Sequence, residues 1–233
     1  MNRSVAPIAV FWFLYMAGLG VIFPYLSLYF QQNAGLSGTQ LGLALAMHPL
    51  MGIVASPLWG QWADRSGRRR GVLFVLAAGS ALGYFLVPHA TSFPVLLLCL
   101  AFLSAFAAPA MAVASSLSFA VLGEGGAARF GRVRVWGTVG YLAMILAFPS
   151  LLVWMGGDSL VVGSSGGLEL IFPVAAVLCL SAALVLLGVP PSKAISVRAK
   201  REDLGALLRQ PSFVRLLVLA FFAFGLLSGP IVL

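Results

Sequence analysis

Charged positions divide this chain into long apolar stretches. No Asp, Glu, Lys or Arg occurs across residues 4–63, a run of 60, or residues 71–123, a run of 53. A membrane-spanning helix needs about 20 apolar residues, so each run fits two helices joined by a turn. The first breaks at Gln31-Gln32-Asn33-Ala34-Gly35, and Ser37-Gly38-Thr39-Gln40 then has the form of a capping box opening the next helix. The second breaks at Pro88-His89-Ala90-Thr91-Ser92, with Ser92 placed as an N-cap two residues ahead of Pro94. Residues 135–157 and 170–192, 23 each, supply one span apiece, and residues 216–233 add 18. The pattern predicts an all-α polytopic membrane protein with six complete spans and most of a seventh.

Residues 1–188 therefore read as one six-helix bundle. Residues 189–212 differ: Pro190-Pro191 precedes a mixed-charge run, and Leu204, Leu207 and Leu208 recur at helical spacing. This is the pattern of a cytoplasmic linker carrying an amphipathic helix on the membrane surface, ended by Pro211. Residues 213–233 begin the seventh span. The order suggests the first half of a larger two-half protein, its second half absent. Gly18, Gly20 and Pro24 in the first helix and Ala107, Ala108 and Pro109 in the fourth hint at an internal repeat with loosened helices, as at a transporter's central site. Gly and Pro are in any case common in membrane helices.

Composition removes the soluble alternatives. Apolar residues make up 61% of the chain, charged residues 9%, and the mean hydropathy is +1.04; soluble domains carry about 45–50% and about 25%. A water-soluble enzyme and a disordered chain are both excluded. The net charge of +8 is distributed by topology. With a cytoplasmic N-terminus, all 14 basic residues fall on the inner side, and the outer loops hold only Asp158 and Glu169. This predicts a multi-pass protein of the plasma (inner) membrane, and no nucleic-acid partner. Arg3 before an apolar run resembles a signal peptide, but the run continues through Phe30 without a clear cleavage site. Cys99 and Cys179 both fall inside spans and read as small buried hydrophobes.

Two segments carry more specific signals. Between the second and third spans stands Gly60-Gln61-Trp62-Ala63-Asp64-Arg65-Ser66-Gly67-Arg68-Arg69-Arg70. Gly60 would let the helix end close against a neighbour, Asp64 would cap the next turn and pair with an arginine, Gly67 would allow a tight turn, and the arginines would meet the anionic inner leaflet. Its G-x-x-x-D-R-x-G-R-R form resembles the loop signature of the major facilitator superfamily. The second segment, Phe130-Gly131-Arg132-Val133-Arg134-Val135-Trp136-Gly137-Thr138-Val139-Gly140-Tyr141, is similar to the fifth-helix entry of the group containing lactose and phenylpropionate permeases, as are residues 20–24 and 56–60. The resemblance implies an N-terminal six-helix half-transporter, proton-coupled uptake, and a gate latched by Gly60, Asp64, Arg65, Gly67, Arg68 and Arg69, with Asp64 bridging two halves.

Read from the residues, Arg134, Thr138 and Tyr141 stand at i, i+4 and i+7 and share one helix face. A cation, a hydroxyl and an aromatic ring suit a solute with polar groups and a flat face. An arginine within a span is a functional candidate because its insertion costs about 2.5–3.5 kcal/mol or more, though a snorkelling arginine at the start of the helix would look the same. Ser116 occupies the fourth-helix position where the resembling sugar carriers have an acid, and no acid lies in residues 71–123. The expected solute site therefore comprises Arg134, Thr138, Tyr141, Ser116, Gly20 and Phe23, and Arg132 is a membrane anchor. His48, before Pro49, reads as a neutral hydrogen-bonding residue between helices. His89 falls in an outer loop, where it is expected to be solvated.

Gly163-Ser164-Ser165-Gly166-Gly167 satisfies G-x-S-x-G but lacks the acid, the histidine and the strand-to-helix setting of a nucleophile, so a flexible outer loop is expected. No metal spacing, P-loop or other catalytic motif occurs, so neither a cofactor nor an enzyme is predicted. The expected function is secondary transport of a small organic solute, with a small carboxylate favoured because Arg134 has no acid partner. A sugar or nucleoside proton symporter, a truncated non-transporting half and a membrane-embedded enzyme are the alternatives. Partners would be the solute, protons, the bilayer, and a second half-transporter or a homodimer mate.

Overall fold

A computed structural model describes residues 5–123, 125–154, 167–189, 210–215 and 218–219. Its helices are α1 (Ala6–Gln32), α2 (Gly38–Ser66), α3 (Arg69–Leu86), α4 (Phe93–Leu122), α5 (Gly126–Trp154) and α6 (Ile171–Val185). Single 3-10 turns follow α3 (Val87–His89) and flank α6 (Leu168–Leu170, Leu186–Gly188). With these turns all six are long and apolar enough to cross a membrane. The chain divides into two compact units, residues 1–195 and 196–233. In the second, a helical turn follows Gln210, whose carbonyl accepts from the amides of Phe213 and Val214. The expected amphipathic helix at Leu204–Leu208, most of the seventh span, Asp158 and the Gly163–Gly166 stretch lie outside the described residues.

Local chemistry sets the helix ends. Ser37 accepts from the Gln40 amide at 3.4 Å, and the Gln40 side chain accepts from the Ser37 amide at 3.0 Å, completing the expected capping box. Ser92 is the N-cap of α4 but makes no side-chain cap bond; Pro94, in the first turn, has no donor to satisfy. Two boundaries differ from the charge pattern. α5 starts at Gly126, so Arg129, Arg132 and Arg134 are helical, and Arg134 lies two turns inside rather than at the start. Charges mark where lipid contact becomes costly, not where backbone hydrogen bonding stops. Gly123 and Gly125, at φ +62° and +70°, turn the chain before it.

Likewise Gly60 to Ser66 are the last turns of α2, and only Gly67 and Arg68 separate it from α3. Gly67, at φ +62°, supplies the left-handed C-cap. Gly60 does not bring the helix close to a neighbour, since a Cβ there would meet nothing within 4 Å. Asp64 does not cap α3 either, because it still belongs to α2.

The bundle has a regular pairing. α1 packs along α5 and α6, α4 packs along α2 and α3, and α3 lies against α6. Exchanging α1-α2-α3 with α4-α5-α6 maps these pairs onto themselves, so the internal repeat is present in the packing. The loosened helices expected with it are not, because α1 and α4 run unbroken through Pro24 and Pro109. One proline frees one carbonyl, which membrane helices tolerate. Trp12, Phe11, Phe30, Phe148 and Phe172 are fully buried at the centre. α2 and α5 are the outer flanks and expose Ile53, Leu58, Leu146 and Trp154.

Candidate functional site

The centre of interest is the junction of α1, α4 and α5. Small residues on both helices let α5 lie against α1. A Cβ at Gly20 would stand 2.5 Å from the Tyr141 carbonyl oxygen, and one at Gly137 would stand 2.9 Å from both Met16 and the Arg134 guanidinium. A Cβ at Gly140 would run into the Phe13 backbone. Close backbone approach through glycine is how membrane helices gain packing contacts that apolar lipid cannot otherwise favour.

This approach sets Arg134 over Trp12, its guanidinium carbon 4.4 Å from the ring centroid. That distance is within the range of a cation–π contact. Trp12 is fully buried, and its indole N–H donates to Ser118 Oγ at 3.0 Å. The Ser118 hydroxyl in turn donates to the Ala114 carbonyl at 2.7 Å. Phe130 meets Trp12 edge-on at 6.3 Å and stacks with Phe119 at 4.5 Å. The arginine thus rests on a ring whose rotation is fixed from α4. Among the described residues it has neither a hydrogen bond nor an ion pair.

The other expected site residues are placed unevenly. Thr138 is exposed and Tyr141 half-buried on the same side of α5 as Arg134. Gly20 is buried against the Tyr141 backbone, which gives it a packing role, while Phe23, 61% exposed, points away from the core. Ser116 is half-buried, but it is Ser118, two residues on, that reaches Trp12. Trp12 and Ser118 were not singled out from sequence. The serine cluster 115–118 was the available signal, with Ser118 falling on the helix face that carries Ala110, Ala114 and Leu117 into the core.

At the α2–α3 junction, Asp64 pairs with Arg69 at 2.9 Å. Arg65 and Arg68 are exposed. Arg70 reaches across to the end of α6, donating to the Val189 carbonyl at 2.6 Å. His48 is exposed on α2 and makes no hydrogen bond among the described residues, so the expected interhelical bond is not formed. His89 is exposed, with Nδ1 2.9 Å from the Phe85 carbonyl. No group of His, Cys, Asp and Glu among the described residues could hold a metal ion.

Comparison with known proteins bears on this arrangement. A family model described as the MFS_1 like family matches residues 6–232. A maltose permease of Geobacillus stearothermophilus is 28% identical over 224 residues, 96% of this chain and 54% of that protein. The uncharacterized transporter YwbF of Bacillus subtilis (strain 168) is 27% identical over 147 residues, 63% of this chain and 37% of its own length. A class E tetracycline resistance protein of Escherichia coli is 36% identical over 93 residues, 39% of this chain and 23% of that protein. The chain thus spans about half the length of the maltose permease and less of the others.

Proposed function

The chain belongs to the MFS_1-like family of the major facilitator superfamily, and from that premise we propose that it forms the N-terminal bundle of a secondary transporter for a small anionic solute. As a member with six apolar spans it is a multi-pass integral membrane protein. The solute reading rests on one observation, the Arg134 guanidinium seated on Trp12 without a hydrogen bond or ion pair among the described residues. A cation in a low-dielectric site is costly alone, and a ligand carboxylate would satisfy it with charge-assisted, bidentate bonds. Thr138 and Tyr141 extend the same face with a hydroxyl and a ring. A second bundle, from the same chain in a homodimer or from further polypeptide, would close the site, and rocking between bundles would expose it alternately. Proton coupling is the driving force that the permease resemblance supports.

The gate belongs to the α2–α3 junction, where Gly67 holds the turn and the Asp64–Arg69 pair sets the shape from which Asp64 meets the other bundle. The N-terminus faces the cytoplasm of a plasma (inner) membrane, because every arginine of the described bundle lies at one end. A neutral sugar is the second reading, since relatives carry the names maltose permease and putative sugar efflux transporter. Both readings make the protein a carrier and not an enzyme.

Uptake into vesicles separates the two, using a carboxylic acid and its matched amide with wild type, Arg134→Lys and Arg134→Gln. The acid should be preferred, and Arg134→Lys, which keeps the charge but loses the planar fork, should weaken acid uptake by about ten-fold. Equal uptake of acid and amide by wild type would return the neutral sugar to first place.

A further inference from the structure

A second basic site lies on the opposite face of α5. Arg129, Arg132 and Trp136 stand at i, i+3 and i+7, so they form one stripe along the first turns of the helix. They rim a cleft of about 460 Å³ whose other lining residues are Val5 and Ala9 of the α1 start, Leu122 at the end of α4, and Val133. Ala9, Leu122 and Val133 are buried, whereas Arg129, Arg132 and Trp136 are exposed. The cleft therefore has an apolar floor and a cationic, aromatic rim. Arg129 is held in place by a bond to the Leu122 carbonyl at 3.0 Å. Arg132 has no hydrogen bond or ion pair among the described residues. In sequence, residues 123–134 carry one acid, Glu124, against the three arginines 129, 132 and 134.

We propose that this cleft binds the phosphate headgroup of an anionic phospholipid, with an acyl chain over the apolar floor. Three features of the site favour a lipid over a soluble anion. The cleft opens at the end of the bundle where all seven described arginines of the six-helix unit gather, the end that faces an anionic leaflet. Its floor is apolar, which a free phosphate cannot use. Trp136 stands at the rim, the level where indole rings settle between headgroups and chains. The site is separate from the Arg134 junction, since Arg134 projects from the other side of the helix to Trp12. It does not depend on which solute is carried.

Native mass spectrometry of the full chain in detergent tests this, with phosphatidylglycerol, phosphatidylcholine of the same acyl chains, and inorganic phosphate as probes. Wild type should retain phosphatidylglycerol over phosphatidylcholine, and Arg132→Gln should lower that retention about five-fold, the effect of one surface arginine on an anionic lipid. Arg68→Gln removes the same charge from the same end of the bundle and should leave retention unchanged. Arg132 holds nothing in the bundle, so its substitution should not disturb folding, which the thermal transition of the purified variant checks. Equal loss in Arg68→Gln would reduce the site to diffuse surface charge. Equal retention of both lipids, or displacement of lipid by inorganic phosphate alone, would overturn the proposal.

Discussion

A single buried ring does much of the positioning at the α1–α4–α5 junction. Trp12 supports the Arg134 charge with its face and is locked by its N–H bond to Ser118. Trp12→Phe keeps a face and loses the lock, whereas Trp12→Leu loses both. A cation–π contact contributes about 0.5–2 kcal/mol, so carboxylate affinity should fall in the order wild type, Phe, Leu, with the last step a few-fold to about 30-fold. Binding of a radiolabelled acid measures this. In an Arg134→Gln background the Trp12 substitutions should have no further effect on affinity. A persistent loss there would show that Trp12 acts on the fold alone. Arg134 was legible in the sequence because it stands at the head of an apolar run on one helix face with Thr138 and Tyr141. Trp12 was not, because α1 is apolar all round and no period marks which ring turns toward a neighbour.

Helix crossings can be tested where glycine replaces contact. The α1–α5 pair approaches through Gly20, Gly137 and Gly140, and Gly20→Val would drive methyl groups into the Tyr141 backbone. Overpacking costs about 1–3 kcal/mol where side chains can yield, and backbone cannot yield easily, so a lower thermal transition in detergent is expected. Gly42→Ala in α2 meets open space, and a helical Gly-to-Ala change should leave the transition unchanged or slightly raised. If both variants melt alike, the crossing is looser than its glycines imply. At the α2–α3 junction, the Asp64–Arg69 pair has Asp64 59% exposed. Exposed pairs contribute about 0–1 kcal/mol, so Asp64→Asn should barely move the thermal transition. In a two-bundle transporter it should slow turnover and leave equilibrium solute binding intact; the reverse result would put Asp64 in the solute site. The helices themselves were legible from charge-free length, and their starts were not. The first turns of α5 carry arginines because helix geometry continues past the apolar slab, and the turn glycines 123 and 125, not the charges, mark where it begins.

At the scale of the molecule, the count of spans and the side each loop faces are linked. Reporter fusions at Gln32, His89 and Gly163 should report the outside, and fusions at Ser66, Gly126 and Lys200 the cytoplasm. With the N-terminus inside, a cytoplasmic signal from His89 would mean an even number of crossings before it and would break the six-span order. The pairing itself, α1 with α5 and α6 as α4 with α2 and α3, was only hinted at by Gly and Pro in α1 and α4, since packing partners leave no mark on helices apolar on every side. It carries a consequence for how the protein comes to sit one way up. Three helices are an odd number, so the two triplets enter the bilayer from opposite faces, and the bundle turned upside down would offer lipid and partner nearly the same body. Shape alone barely tells top from bottom. The tie would be broken by charge: among the described residues of the bundle, seven arginines lie at one end and Glu169 at the other, a bias that reversing the basic residues would erase. A chain so altered should insert in both senses, each copy folded and half of them facing the wrong way.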